Sequence, residues 1–225
     1  MRIPRATVVN IGAGLDTTFS RVDNGQIRWY NLDLPDAAAF RQTLIPNSER
    51  EIGIAKSFFD TSWFDDVAFN ESDGIIFISA GVFYYFREEE LKSVVAEIAR
   101  RFPGGELYFD AESKSAVAKS NSVVKKTGNK NALMYFYVND AKSLESWSPM
   151  IRLVSCEPFF KGIPKKKSWS PGARLFMSLA DILGMMKIVC LRFTLLDNVH
   201  TKKSSKGSCL HQQNAALRTK GGVFC

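Results

Sequence analysis

Histidine is missing from the first 196 of these 225 residues; His200 and His211, the two in the chain, both lie near its C-terminal end. Residues 1–196 therefore lack the side chain most used for proton transfer near neutral pH, which is also the commonest metal ligand. Cysteine is sparse too. Cys156, Cys190, Cys209 and Cys225 show neither CxxC nor zinc-type spacing, so neither a disulfide framework nor a metal site is expected. No run of 18 apolar residues occurs, and the opening MRIPR lacks the apolar stretch of a secretory leader. The chain is thus expected to be cytoplasmic, with no membrane partner.

Acids are outnumbered, 23 against 30 Lys and Arg, for a net charge of +7. That excess is local. Residues 197–225 hold five Lys and Arg against the single acid Asp197, which accounts for +4 of it. A further basic cluster, Lys165, Lys166 and Lys167, follows Gly162 and Pro164 in an expected loop. Neither suffices to indicate a nucleic-acid partner.

What is present is a chain 45% apolar and long enough for one α/β core. Short apolar runs at residues 7–11, 27–32, 52–59, 74–79 and 106–110 read as strands, as do 152–160 and 187–195. Helical patterns fall between them. The clearest has acids at Glu88, Glu89 and Glu90 and apolar residues at Leu91, Val94, Val95, Ile98, Ala99 and Phe102, the spacing of one helical face. Weaker patterns begin at Pro35, Glu112 and Pro171, and a short turn is expected over 60–67. Strands alternating with helices imply a mostly parallel, doubly covered sheet. We divide the chain into one domain, residues 1–196, and a polar basic tail, 197–225, expected to be disordered.

The first strand ends in Gly12-Ala13-Gly14, followed by Asp16. Glycines let the backbone turn tightly and approach a ligand closely, and ligands of open parallel sheets bind outside the carboxyl ends of the strands. The dinucleotide pattern G-x-G-x-x-G fails here, because Thr17 holds the third glycine position and Asp16 would repel a diphosphate. Asp33 ends the second strand, where a carboxylate accepts both hydroxyls of a ribose. Asp60 follows Phe58 and Phe59, an acceptor beside an apolar wall suited to an adenine. Three acids without a basic clamp favour a cationic nucleoside, and S-adenosylmethionine has that chemistry. Each acid also has a purely local use: Asp16 and Asp60 as helix N-terminal caps, Asp33 as a cap for the helix at Pro35.

The stretches VVNIGAGLDTTFSRV (8–22), WYNLDLP (29–35), KSFFDTSWFDDV (56–67), IFISAGVFYYF (76–86) and RFPGGELYFDA (101–111) together resemble the leucine carboxyl methyltransferase family, in its polyketide O-methyltransferase-like branch. SCEPFFKGIPKKKSW (155–169) and GMMKIVCLRF (184–193) add to the likeness. The resemblance implies a Rossmann-like seven-stranded class I methyltransferase sheet, mostly parallel with an antiparallel last strand. It implies a cofactor site of Gly12, Ala13, Gly14, Asp16, Asp33, Leu34, Phe59, Asp60, Ser79 and Ala80, and an acceptor pocket of Phe83, Tyr84 and Tyr85. Many members carry an acid at the position of Ala80. Members also have tens of residues of helix before the first strand, where this chain has six.

Methyl transfer is an in-line displacement, so alignment and exclusion of water are its chief demands. Without histidine in residues 1–196 the usual base is lacking, and no catalytic side chain is assigned. A carboxylate acceptor needs none, being ionised at pH 7. The expected function is S-adenosylmethionine-dependent O-methylation of a small polyketide-like acid or a peptide C-terminus. The alternatives are a non-catalytic remnant of the fold serving as a scaffold, for which Ala80 and the short front end speak, and a nicotinamide-dependent oxidoreductase, against which Asp16 and Thr17 speak.

Overall fold

The computed structural model describes residues 4–128 and 132–195, so the tail expected over 197–225 lies outside the described residues. In chain order the elements are β1 (Thr7–Ile11), α1 (Thr18–Val22), β2 (Arg28–Asp33), α2 (Pro35–Leu44), β3 (Glu51–Ala55), β4 (Ile75–Ser79), α3 (Glu88–Arg101), β5 (Glu106–Glu112), α4 (Lys114–Lys126), β6 (Ile151–Pro158), α5 (Pro171–Ile182) and β7 (Met186–Phe193). The strands form one sheet in the order β3-β2-β1-β4-β5-β7-β6. Only β7 runs against its neighbours β5 and β6; the pairings among β1 to β5 are parallel.

The sequence TVVNI makes β1 a natural central strand, because β-branched side chains fit a pleated surface buried on both sides. All five of its residues are buried. On one face Val9, Ile11, Phe77 and Phe109 pack against Leu91, Val94, Val95 and Ile98 of α3. Burying each such side chain contributes about 1.5–3 kcal/mol, which fixes α3 to the sheet by its apolar stripe. The Glu90 carboxylate accepts the Arg87 backbone N–H at 2.9 Å, closing the start of that helix. On the opposite face a smaller cluster joins Val8, Phe19, Ile27 and Trp29.

Two elements differ from the sequence reading in a way that moves the site. The third strand was expected to run to residue 59, but β3 stops at Ala55. A turn closed by Asp60 N–H to the Ser57 carbonyl follows, and it drops Phe58 into the core against Trp63 and Phe83. Asp60 is accordingly not a strand-end residue. The fifth strand, expected over 106–110, continues to Glu112 because β7 pairs with it as far as the Glu112–Met186 register.

Candidate active site

Strand order reverses between β2 and β4 about β1, and the crevice outside their carboxyl ends is where such sheets bind ligands. Ile11 lies in register with both Leu32 and Ser79, so the three strands end level. Beyond Ile11 the chain turns at once. Gly12 and Gly14 take φ of +66° and +48°, the left-handed region that glycine occupies without strain. The Gly12 N–H donates to the Leu32 carbonyl at 2.8 Å, which folds the turn back over β2.

Gly14 is held from both sides. Its N–H donates to Asp33 Oδ2 at 2.7 Å, and its carbonyl accepts from Arg41 Nη1 at 3.0 Å. Asp33 Oδ1 meanwhile accepts the Leu34 N–H at 2.8 Å. One backbone donor per oxygen leaves each carboxylate oxygen a further lone pair for an incoming hydroxyl. A Cβ on Gly14 would meet nothing within 4 Å, so the turn borders open space. Ala13 is buried beneath it and Leu34 is exposed at its lip.

Beneath the turn runs a buried polar network that the sequence reading did not find. Arg41 Nη2 donates to Glu51 Oε1 at 2.8 Å, and Asn31 Nδ2 donates to the same oxygen at 2.9 Å. Trp29 Nε1 donates to Asn31 Oδ1 at 2.9 Å, and Asn10 Nδ2 donates to Asp16 Oδ2 at 3.1 Å. Arg41 and Glu51 are 4% and 9% exposed, so this is a desolvated ion pair. A charge on α2 and another opening β3 give no periodic signal; only their tertiary pairing shows their use.

The remaining candidate residues sort by what they touch. The Asp16 carboxylate accepts from Thr18 N–H at 2.9 Å and Thr18 Oγ1 at 2.7 Å, and it faces Arg21 at 3.8 Å, so it organises the start of α1. Asp60 caps the 3-10 turn Thr61–Asp66 by accepting the Ser62 N–H at 3.1 Å; hydrogen bonds from the Ser62 side chain and backbone hold its carboxyl below the usual range. Phe59 stands edge-on to Phe86 with ring centres 4.7 Å apart and keeps a third of its surface open.

The loop after β4 forms the second wall. Ser79 is 1% exposed and its Oγ has no hydrogen-bond partner among the described residues. Ala80 is exposed. Val82 reaches across to the turn after β1, and a Cβ on Gly12 would lie 2.5 Å from its Cγ2. Phe83 differs from its expected place in a pocket: it is wholly buried, packed between Phe58 and Phe109, because its turn folds the ring under the loop. Tyr84 and Tyr85 stay partly open, rings 5.1 Å apart. Burial, then the nearby Asp110 charge, pushes the Tyr84 phenol upward, so it is an un-ionised hydroxyl.

Asp110, just past the last β4–β5 register pair, Ser79–Phe109, is a further acid that sequence reasoning passed over. Its Oδ1 accepts the Gly81 N–H at 2.7 Å, tying the loop after β4 to the end of β5. Burial pushes its carboxyl above the usual range, against the pull of that amide. The position resembles that of Asp33 on β2, and the same strand-end signal could have found it. Among the described residues no cluster of acids, His or Cys could hold a metal. A cleft of about 310 Å³ lined by Arg5, Thr7, Arg28 and Asp73 lies at the amino ends of β1 and β2, the far end of the sheet from these groups.

This strand order, with one reversed strand between β5 and β6 and a glycine turn pinned by an acid on β2, is the methyltransferase fold. A putative methyltransferase from Thermobifida fusca YX superposes with a TM-score of 0.62 at 12% identity, over 86% of this chain and 75% of its own. LepI in complex with SAM superposes with a TM-score of 0.54 at 12% identity, over 85% of this chain and 43% of its own. Residues 5–99 match the model of the leucine carboxyl methyltransferase family, which covers β1 to β4 and most of α3. The tetracenomycin polyketide synthesis O-methyltransferase TcmP of Streptomyces glaucescens is 28% identical over 152 residues, 66% of this chain. The chain spans about half, 54%, of that curated relative.

Proposed function

We propose that this chain binds S-adenosylmethionine and transfers its methyl group to the carboxylate oxygen of a small polyketide-like acid or a peptide C-terminus. The observation that carries the reading is Asp33, fixed by two backbone donors with a lone pair left on each oxygen, beside a glycine turn bordering open space. A ribose presents two adjacent hydroxyls to such a carboxylate. The cations reaching this turn, Arg21 and Arg41, face Asp16 and Glu51, and a diphosphate would meet acid instead.

The residues present fit the cofactor. Asp33 would take the ribose, Phe59 would flank the adenine with Asp60 accepting its amino group, and Gly12, Ala13 and Gly14 would let the chain lie close to the amino-acid portion. The orphaned Ser79 Oγ gains a partner from a polar group entering beside Ala80. S-adenosylmethionine, when bound, would supply an electrophilic sulfonium methyl to an acceptor oxygen held in line with it, with the neutral thioether as leaving group. Tyr84 and Tyr85 on the loop Asp110 anchors would orient the acceptor, Tyr84 donating a hydrogen bond. A carboxylate arrives ionised, and the transfer then needs no base.

Calorimetric titration of S-adenosylmethionine into the full chain tests this, with Asp33→Ala as control. Two lost charge-assisted hydrogen bonds weaken binding by about 100–10,000-fold. Methyl transfer to carboxylic acids is the expected turnover; turnover of phenols with none of carboxylic acids would overturn the acceptor assignment.

A further inference from the structure

Helix α5 is inside out. Its inward residues Met177 and Ala180 are buried, and its polar Arg174, Ser178 and Asp181 lie on one flank, half-buried. Its outward face is apolar: Leu175, Phe176, Leu179, Ile182 and, one residue past the end, Leu183 are 45–77% exposed. At 100° per residue these five span an arc of about 120°, a continuous stripe with no charge in it. Single exposed leucines are ordinary, but a contiguous stripe marks a docking surface.

The charge beside the stripe says what it docks on. The preceding loop carries Lys161, Lys165, Lys166 and Lys167 within seven residues. Lys165 Nζ donates to Ser178 Oγ at 2.6 Å, which places this loop along the flank of α5, next to the stripe. Lys166 and Lys167 are exposed. An apolar stripe bordered by lysines is the pattern of a helix lying in the interface of an anionic bilayer, its side chains in the acyl boundary and its cations among the headgroups. A second copy of the chain would bring the same lysines together, which disfavours self-association.

We propose that α5 and residues 161–167 seat this protein on an anionic lipid surface. The seat leads directly into the sheet. Leu183 leads through Met185, whose carbonyl accepts the Ser113 N–H, into β7 beside Glu112 at the carboxyl end of β5.

The test is co-sedimentation of the full chain with vesicles of phosphatidylcholine alone and of phosphatidylcholine with phosphatidylglycerol. Binding to the mixed vesicles only, falling with salt, is expected. Ile182→Glu with Leu183→Glu weakens it at least about tenfold, and Lys165, Lys166 and Lys167 changed to Gln weaken it about 100-fold. Trp169 gives a second readout, being half-buried while Trp29, Trp63 and Trp147 are fully buried: its fluorescence shifts to the blue on binding, and Trp169→Phe removes the shift. Unchanged circular dichroism shows the variants fold, and S-adenosylmethionine titration on the same samples reads the cofactor site separately. Equal sedimentation with and without anionic lipid overturns the proposal. So does lipid binding that survives both sets of substitutions, or a dimer in light scattering that Ile182→Glu dissolves.

Discussion

Replacing Glu51 by Gln is the sharpest probe of what holds the glycine turn. The change keeps shape and one acceptor oxygen but removes the charge facing Arg41 at 2.8 Å, with side chains 5% and 11% exposed. A buried pair broken on one side leaves an uncompensated charge, at a cost of about 3–5 kcal/mol. Gln retains an oxygen for Arg41 or Asn31, so we place this variant at about 3 kcal/mol. At about 2–4 °C per kcal/mol for a chain of this size, the melting temperature falls by about 6–12 °C. The double variant Arg41→Met/Glu51→Leu removes both charges. It still strands Asn31 Nδ2 and the Gly14 carbonyl, each of which had its partner here, and so costs about 2–6 kcal/mol, less than the about 6–10 kcal/mol of removing each charge singly. Urea unfolding with unchanged m-values is the assay. A loss under about 0.5 kcal/mol for Glu51→Gln, or strictly additive singles, would refute the idea that the pair is desolvated and coupled.

Two other outcomes follow from the same geometry. Gly12→Ala forces an L side chain to φ +66° with its Cβ 2.5 Å from Val82 Cγ2; the conformation alone costs about 1–2 kcal/mol, and Val82→Ala recovers the steric part but not that remainder in differential scanning fluorimetry. Asp110 has a carboxyl raised by burial, so the folded state binds its proton more tightly than the unfolded state does. Its contribution is full below the unfolded pKa and is lost as pH rises through the folded one. Asp110→Asn, whose side-chain oxygen still accepts from Gly81, flattens that acid-to-neutral decline; urea midpoints compared at about pH 3.5 and 7.5 would show it, and a parallel decline in both proteins would discredit it.

The sequence was legible wherever one element's own pattern decides its place. The apolar runs of β1 and β4 and the 3.6-residue stripe of α3 depend only on local spacing, and the fold has them where the spacing puts them. Asp33 was readable for the same reason, since a strand end and a following Leu-Pro define it. Legibility failed where tertiary contact overrides local pattern. Residues 52–59 look continuous, yet Phe58 leaves the strand for Trp63 and Phe83, carrying Asp60 into a loop. Phe83, read as a pocket wall, is more stable under its loop than on it. Arg41 and Glu51 lie ten residues apart on a helix and a strand, a separation that predicts no contact in either period.

The contact between Gly12 and Val82 makes two distant stretches of sequence answer to one clearance. Less than a methyl group separates the turn after β1 from the loop after β4, so bulk gained at one position has to be surrendered at the other. In a lineage of such proteins, position 12 is expected to stay glycine, because its φ of +66° strains any L side chain whatever stands opposite, so the clearance is adjusted at position 82. The mouth of the crevice can then be widened by trimming residue 82 alone, and selection for bulkier ligands would act there first.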